Sequence, residues 1–274
     1  MNFFEKIVYS LQGTMERPTP FGWFHLLWIA LTIGSIIFLY TKKHKYNEKQ
    51  LKLVLLIYGF VALILEVTKQ VIWSFEYDAL TGIGVWDYQW YAAPFQLCTT
   101  PIFVTLICGF LKPSKFRLSL LSYLSFVTIL GSLMTIIIPT SCFVETIEIN
   151  IHTMWLHCGS FVVSVYLLMT GEVECKFENL KNAFLVFLGF SVIAQILNIS
   201  IYHSGLLKGE TFDMFYISPY FISTLPVYNI VQENVPFIIF LLFYILTIGL
   251  GASFVYFIYY LCNKFIKIKP YNLM

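Results

Sequence analysis

Residues Trp90 to Thr105 read WYAAPFQLCTTPIFVT, an apolar run interrupted by Pro94, Gln96, Cys98 and Pro101. Taken as the start of a membrane-spanning helix with Pro94 in its first turn, the run sets Cys98 about 12 Å below an aromatic rim, at ~1.5 Å rise per residue. On that reading Pro94, Cys98, Pro101 or Ile102, and Thr105 share one face. Polar groups at such depth cost stability unless neighbours satisfy them. The cluster is either a packing device, with Cys98 a small buried hydrophobe, or a reaction site, and the rest of the chain bears on which.

The 274 residues are 58% hydrophobic, 19% aromatic and 12% charged, with a mean hydropathy of +0.77. That composition is far from a soluble globular domain and marks an integral membrane protein. A net charge of +2 without a basic strip gives no footing for a nucleic-acid partner. Apolar runs of roughly 20 residues fall at Gly22–Tyr40, Leu51–Trp73, Tyr91–Leu111, Ser119–Ile138, Ile151–Thr170, Ala183–Tyr202 and Val235–Leu261. They predict an all-α, polytopic bundle of seven transmembrane helices forming a single domain, 1–274.

The joints on one side carry Lys42, Lys43, Lys45, Lys49, Lys52, Lys112, Lys115, Arg117, Lys176, Lys181, Lys264, Lys267 and Lys269, out of 17 basic residues. The other side has Lys6, Arg17 and Lys208. The positive-inside rule then sets the N-terminus outside and the C-terminus in the cytoplasm. The opening MNFFEKIV lacks a basic region ahead of an apolar core, so no cleavable signal is expected. The six cysteines are scattered and none stands in a Cys-x-x-Cys spacing, which predicts neither a disulfide framework nor a metal site.

In chain order, Phe3, Phe4, Ile7, Val8 and Leu11 form one helical stripe, an outer interfacial segment within 1–21. His25 reads as a headgroup-level anchor at the rim of the first span. In EVTKQVIW, Glu66, Lys69, Gln70 and Trp73 recur at helical spacing, so the two ionisable groups face the bundle, as a structural ion pair, as the charge of a cavity, or as both. The acids and aromatics of Ser74–Trp90 read as an interfacial belt. The fourth span shows Ser and Gly at intervals suited to close helix packing. In the fifth, His152 and His157 stand about 140° apart around the helix, poor geometry for chelating one metal. Gln195, Asn198 and Tyr202 share a stripe in the sixth, and the apolar segment 203–234 reads as an outer lid that lies in the interface or dips into the bundle. The last span contains no lysine, which excludes a retinal Schiff base there.

Glu66, Lys69, Gln96, Cys98, His157, Gln195 and Asn198 all fall within roughly 6 to 12 Å of the outer ends of their spans by helical rise. Such sorting predicts a polar cavity open to the outer leaflet. A thiol and an imidazole at one depth are the minimum for covalent acyl transfer: Cys98 as nucleophile, His157 as base, with Glu66, Lys69, Gln96 and Asn198 as the surrounding substrate-binding shell. Membrane phospholipids are then the partners and no cofactor is needed. The rival reading is a transporter or receptor that binds a polar or lipid ligand in the same cavity.

The runs EVTKQVIW, WDYQWYAAPFQLC, HCG and TLPVYN resemble the YwaF-like family of multi-span membrane proteins, most closely its Firmicute-type members. The similarity extends in order over nearly the whole chain. That family is related to a mammalian acyltransferase that remodels ether phospholipids through a cysteine. The resemblance implies a bacterial plasma membrane, and it implies that Cys98 matches the family's Pro-x-[His/Gln]-x-Cys cysteine and His157 the histidine of the fifth span. Gln96 stands where many relatives have histidine, and Cys158 where a second histidine or glycine is common.

Overall fold

The computed structural model describes residues 1–43, 46–139 and 142–266. Of the basic residues used for orientation, Lys45, Lys267 and Lys269 lie outside them. The chain is nearly all helical, and six of its helices are long and apolar enough to cross a membrane. These are α2 (Trp23–Lys42), α3 (Glu48–Trp73), the α5–α6 rod (Lys115–Ile137), α7 (Ile147–Met169), α8 (Phe177–His203) and α10 (Phe237–Ile266). Shorter helices precede the first and the last of these: α1 (Phe3–Leu11) ahead of α2 and α9 (Tyr228–Asn234) ahead of α10.

Side chains set the helix starts. Asn2 accepts from the Glu5 amide while the Glu5 carboxylate accepts from the Asn2 amide, a reciprocal cap that begins α1. Asn47 caps α3 through the Gln50 amide, and Ser114 caps the rod through that of Arg117. Along α10, Leu242, Leu246, Leu250 and Phe254 form an outward stripe, each about three-fifths exposed. In water that stripe would be an aggregation surface; in a bilayer it is the lipid-facing side.

The third apolar run departs from expectation. Helix α4 covers only Thr100–Phe110, and the chain before it makes a single 3-10 turn at Trp90–Ala92 and then runs irregularly to Thr99. Proline explains the shift. Ala93, preceding Pro94, is held extended (φ −52°, ψ 145°), which forbids a helix there. Pro101, not Pro94, occupies the first helical turn, where a missing N–H is tolerated. Eleven residues span about 16 Å, roughly half of a bilayer core. Pro94 and Cys98 therefore do not share a helix face with Thr105.

Other expectations change in detail. Ser74–Trp90 contains a β-hairpin, β1 (Phe75–Asp78) against β2 (Ile83–Trp86), with the Phe75 ring buried against Trp86. His25 is no rim anchor: it is fully buried, its Nδ1 accepting from the Phe21 amide and its Nε2 lying 2.7 Å from the Ile136 carbonyl. In the rod, Ser122, Ser125 and Ser132 are buried, but Gly131 faces open space. The rod also widens into a π-turn at Leu124–Thr128, separating α5 (Lys115–Tyr123) from α6 (Ile129–Ile137).

Helices α3, α4 and α7 pack tightly because glycine lets them. A Cβ at Gly59 would sit 2.8 Å from Leu106 and Thr105 of α4, and one at Gly159 would meet the Tyr58 ring at 2.7 Å. Between α6, α7 and α10 lies a cavity of about 360 Å³ lined by Leu133, Phe161, Leu168, Val255 and Tyr259 among other almost wholly apolar surfaces.

Candidate functional site

Three helices and two irregular segments meet around Cys98. On α3, Glu66 and Lys69 are buried and paired, Oε1 to Nζ at 2.7 Å, as their spacing suggests. The second Glu66 oxygen faces His152 Nε2 of α7 at 2.8 Å, close but poorly aligned, so that neither atom gains a well-formed hydrogen bond from the contact. Gln70 donates to Glu66 Oε1 (2.7 Å) and to the Ala92 carbonyl (2.6 Å), and Lys69 also donates to Ala92 (3.1 Å). The α3 network thus holds the irregular stretch that leads to Cys98. Carbonyls in such backbone have no helical partner and need side chains to satisfy them at membrane depth.

Two charged groups of this network act electrostatically on the Cys98 thiol: Lys69 and Glu66. Tyr58, which ties α3 to α7 by donating to the Leu156 carbonyl (3.1 Å), is in electrostatic reach of the same thiol. His157 is buried on α7 and feels the charge of His152. Among the described residues no hydrogen bond joins the His157 imidazole to Cys98 or to any other group. The structure therefore shows a ring that is uncommitted, a little over one turn along α7 from the Glu66–His152 contact.

The remaining wall is a strap within 203–234. Phe212, Met214, Phe215, Ile217 and Ser218 are buried, so this segment does dip into the bundle. Asn198 of α8 reads its backbone from both sides, donating to the Met214 carbonyl (3.0 Å) and accepting from the Met214 amide (2.7 Å). Gln96 does the same one step along, donating to the Asp213 carbonyl (3.1 Å) and accepting from the Phe215 amide (3.0 Å). The Phe95 and Phe215 rings stack at 5.6 Å. Gln96 and Asn198 are spent on the strap, so their amides hold it against Cys98 rather than point free donors at a reacting carbonyl. Phe215 and Tyr216 both take positive φ (61° and 59°), a conformation that costs about 1 kcal/mol or more per non-glycine residue and is kept only where surroundings over-determine it. The Tyr216 hydroxyl is in electrostatic reach of Cys98 and Asp213. Gln195 contacts Asn198 at 3.4 Å and otherwise stays at the edge.

Sequence reading missed several members. His152 partners a carboxylate on another helix, which no spacing along α7 reveals. Glu148, one turn before His152, has both carboxylate oxygens buried without partners and feels Lys69 and Glu66; its i, i+4 relation to His152 was the available signal. Asp213 lies in the strap, where burial of its carboxyl pushes its pKa up to about 7 against the pull of the Ser218 and Ile217 amides. No cluster of three or more metal-ligating side chains occurs among the described residues.

A family model described as the TMEM164 family matches residues 20–251. No curated protein and no solved structure matches the chain. A match over most of the length settles the family, and the chain belongs to the TMEM164 family of membrane proteins.

Proposed function

Starting from a multi-pass membrane protein of the TMEM164 family, we propose that this chain is an acyl-lipid transferase working through a thioester on Cys98. The observation that carries the reading is the setting of that thiol: it lies on irregular backbone at membrane depth, beside a buried Lys69–Glu66 pair and beneath a clamped strap. Irregular backbone in a bilayer is retained where it serves a cavity. Lys69 and Glu66 act on the thiol in opposite senses, and its partly buried setting limits the water that competes for the acyl group.

In this scheme His157 takes the thiol proton, and the thiolate attacks the ester carbonyl of a phospholipid. The C–S bond forms, the ester C–O bond breaks, and the departing lysolipid alkoxide receives the proton from the imidazolium. An acceptor hydroxyl then attacks the thioester, its proton passing to His157 and returning to sulfur. Glu66 and His152 orient Lys69 toward a lipid phosphate, and Gln96 and Asn198 keep the strap in place. The short α4 with its irregular entry makes up the seventh crossing. The lysine-rich joints favour an N-terminus outside and a C-terminus in the cytoplasm, hence an outward-opening site; the resemblance favours a bacterial plasma membrane, and the chain is read as one domain. The likeness to the YwaF-like proteins and to an ether-phospholipid acyltransferase points the same way.

A binding protein without chemistry is the second reading, favoured by one observation: irregular backbone near the midplane also marks substrate sites of transporters. One experiment separates the two. The purified protein in lipid nanodiscs is incubated with an alkyne-tagged phospholipid and examined for a covalent acyl adduct. The adduct is expected in the wild type and in Cys108→Ala and absent in Cys98→Ala. Lipid binding without adduct in the wild type would leave only the binding reading.

A further inference from the structure

The cavity of about 360 Å³ between α6, α7 and α10 stands apart from Cys98. Its α7 wall runs from Phe161 to Met169 and its α10 wall from Phe254 to Cys262, each a rise of about 12 Å. Phe161 already lies about 14 Å along α7 from His152, and from there the walls continue toward the lysine-rich end of the bundle. Phe254, Ile258 and Cys262 line the cavity and are exposed as well, so it is a groove that opens sideways to the surroundings of the bundle.

The groove is held open from both ends. Just ahead of Phe254, α10 touches α6: a Cβ at Gly251 would lie 2.5 Å from Leu130 Cδ2. At the other end the Tyr259 hydroxyl donates between the carbonyls of Leu168 and Val173, 3.1 Å from each, and fastens α10 to the joint after α7. Behind it the Phe126 ring, within the π-turn, packs on those of Tyr256 and Tyr259 at 5.8 and 6.4 Å. Pinned at these levels, the three helices do not close the gap between them.

An empty gap of this kind forfeits dispersion contacts along its whole lining. Water does not restore them, because it needs polar partners and the walls are almost wholly apolar. Spread along 12 Å, the volume is a slot about 6 Å across, too narrow for a helix of about 10–12 Å diameter. A single chain of methylenes, with carbon contacts at about 4 Å, does fit. The charge at the mouth says whose chain it is. Lys264 stands in the last turn of α10, two residues beyond Cys262, and no acidic side chain is among the described walls.

We propose that the groove between α6, α7 and α10 binds one acyl chain of an anionic phospholipid from the lysine-rich leaflet, with its phosphate at the level of Lys264. The lipid is a structural ligand that fixes α10 on α6 and α7, not a substrate for Cys98.

The test releases the full chain from nanodiscs made of equal parts dioleoylphosphatidylglycerol and dioleoylphosphatidylcholine, and reads retained lipid by native mass spectrometry. The wild type is expected to keep one phosphatidylglycerol. Val165→Trp and Val255→Trp, which fill the groove from α7 and from α10, weaken retention about ten-fold, the worth of roughly ten carbon contacts. Leu246→Trp, on the outward stripe of α10, retains lipid as the wild type does. Lys264→Gln keeps a lipid but no longer selects the anionic one. A measurement on the wild type alone accompanies these: phosphatidylglycerol slows maleimide labelling of Cys262, and phosphatidylcholine does so less. A wild type that keeps no lipid, retention that survives both fillings or falls equally in Leu246→Trp, or Cys262 labelling indifferent to lipid overturns the site. Equal retention of the two lipids by the wild type overturns the anionic headgroup. Adduct formation at Cys98 is the readout of none of these, so the groove and acyl transfer fail separately.

Discussion

Two cysteines ten residues apart mark the two ends of the short helix α4, Cys98 just ahead of it and Cys108 in its last turn, and an ion pair lies near each. At Cys108 the arrangement closes on itself. Arg117, 1% exposed, donates Nε to the Cys108 carbonyl (3.0 Å) and Nη1 to Glu48 Oε2 (3.0 Å), with Glu48 Oε1 2.8 Å from Nη1, stitching α3 to the start of α5 and leaving Nη2 and Glu48 Oε1 without well-formed hydrogen bonds. At Cys98 both members of the Glu66–Lys69 pair are buried, and beside it both Glu148 oxygens, Glu66 Oε2 and His152 Nε2 lack well-formed hydrogen bonds. A charge pair stands at both ends; the larger set of unpartnered atoms belongs to one. A buried pair whose groups are nearly all spent is a latch, and a pair ringed by unspent groups has capacity for something else.

The comparison breaks most visibly at the latch. Arg117→Ala unpairs the Cys108 carbonyl and takes the main partner from the partly exposed Glu48, and is expected to cost about 3 kcal/mol, seen as a lower midpoint in thermal denaturation of the detergent-solubilised protein. Adduct formation at Cys98 per folded molecule should stay at the wild-type level. If acylation falls in step with stability, the two ends are not separate devices.

At the other end Asn198→Ala removes two hydrogen bonds to Met214, an expected loss of about 1–3 kcal/mol. It should also do what the latch variant does not, raising the rate at which a maleimide labels Cys98 by several-fold, since the strap covers that thiol. Unchanged labelling would mean that the strap is not the cover.

The smallest effect is in pH. Asp213 has a folded pKa of about 7 against an ordinary value of 3.8. The folded state therefore holds its proton more tightly, so the stability linked to this group is fully present below pH 3.8 and fades as pH rises through about 7. Between pH 5 and 8 the wild type should lose on the order of 1 kcal/mol that Asp213→Asn retains. Parallel profiles for the two proteins would mean that Asp213 holds no extra proton in the folded state.

Much of the architecture was legible because lipid imposes long apolar runs, and the Glu66–Lys69 pair was legible because residues three apart on a helix must meet. The entry to α4 was not. Pro94 and Pro101 each fit a first turn, and only the packing of Gln96 and Phe95 on the strap selects the later start. Asp213 was hidden for a related reason: a carboxylate in a loop carries no periodic signature, and its burial arises from where the strap enters the bundle. His25 illustrates the converse error. A histidine near a span's end resembles a surface anchor until the partner carbonyl of Ile136, far along the chain, is seen to claim it.

The widened turn at Leu124–Thr128 has its own effect on the geometry. A π-turn carries one more residue than the α-turn it replaces, and in an α-helix one residue amounts to about 100° of rotation. Tyr123, just ahead of it, points at Thr100 beside Cys98, whereas Ile136, beyond it, offers its carbonyl to His25 on α2. Removing a single residue from the turn would swing one of these two contacts a quarter-turn or more away while leaving the rod's length and greasiness nearly untouched. The bundle would still insert, but with its inner gearing out of phase.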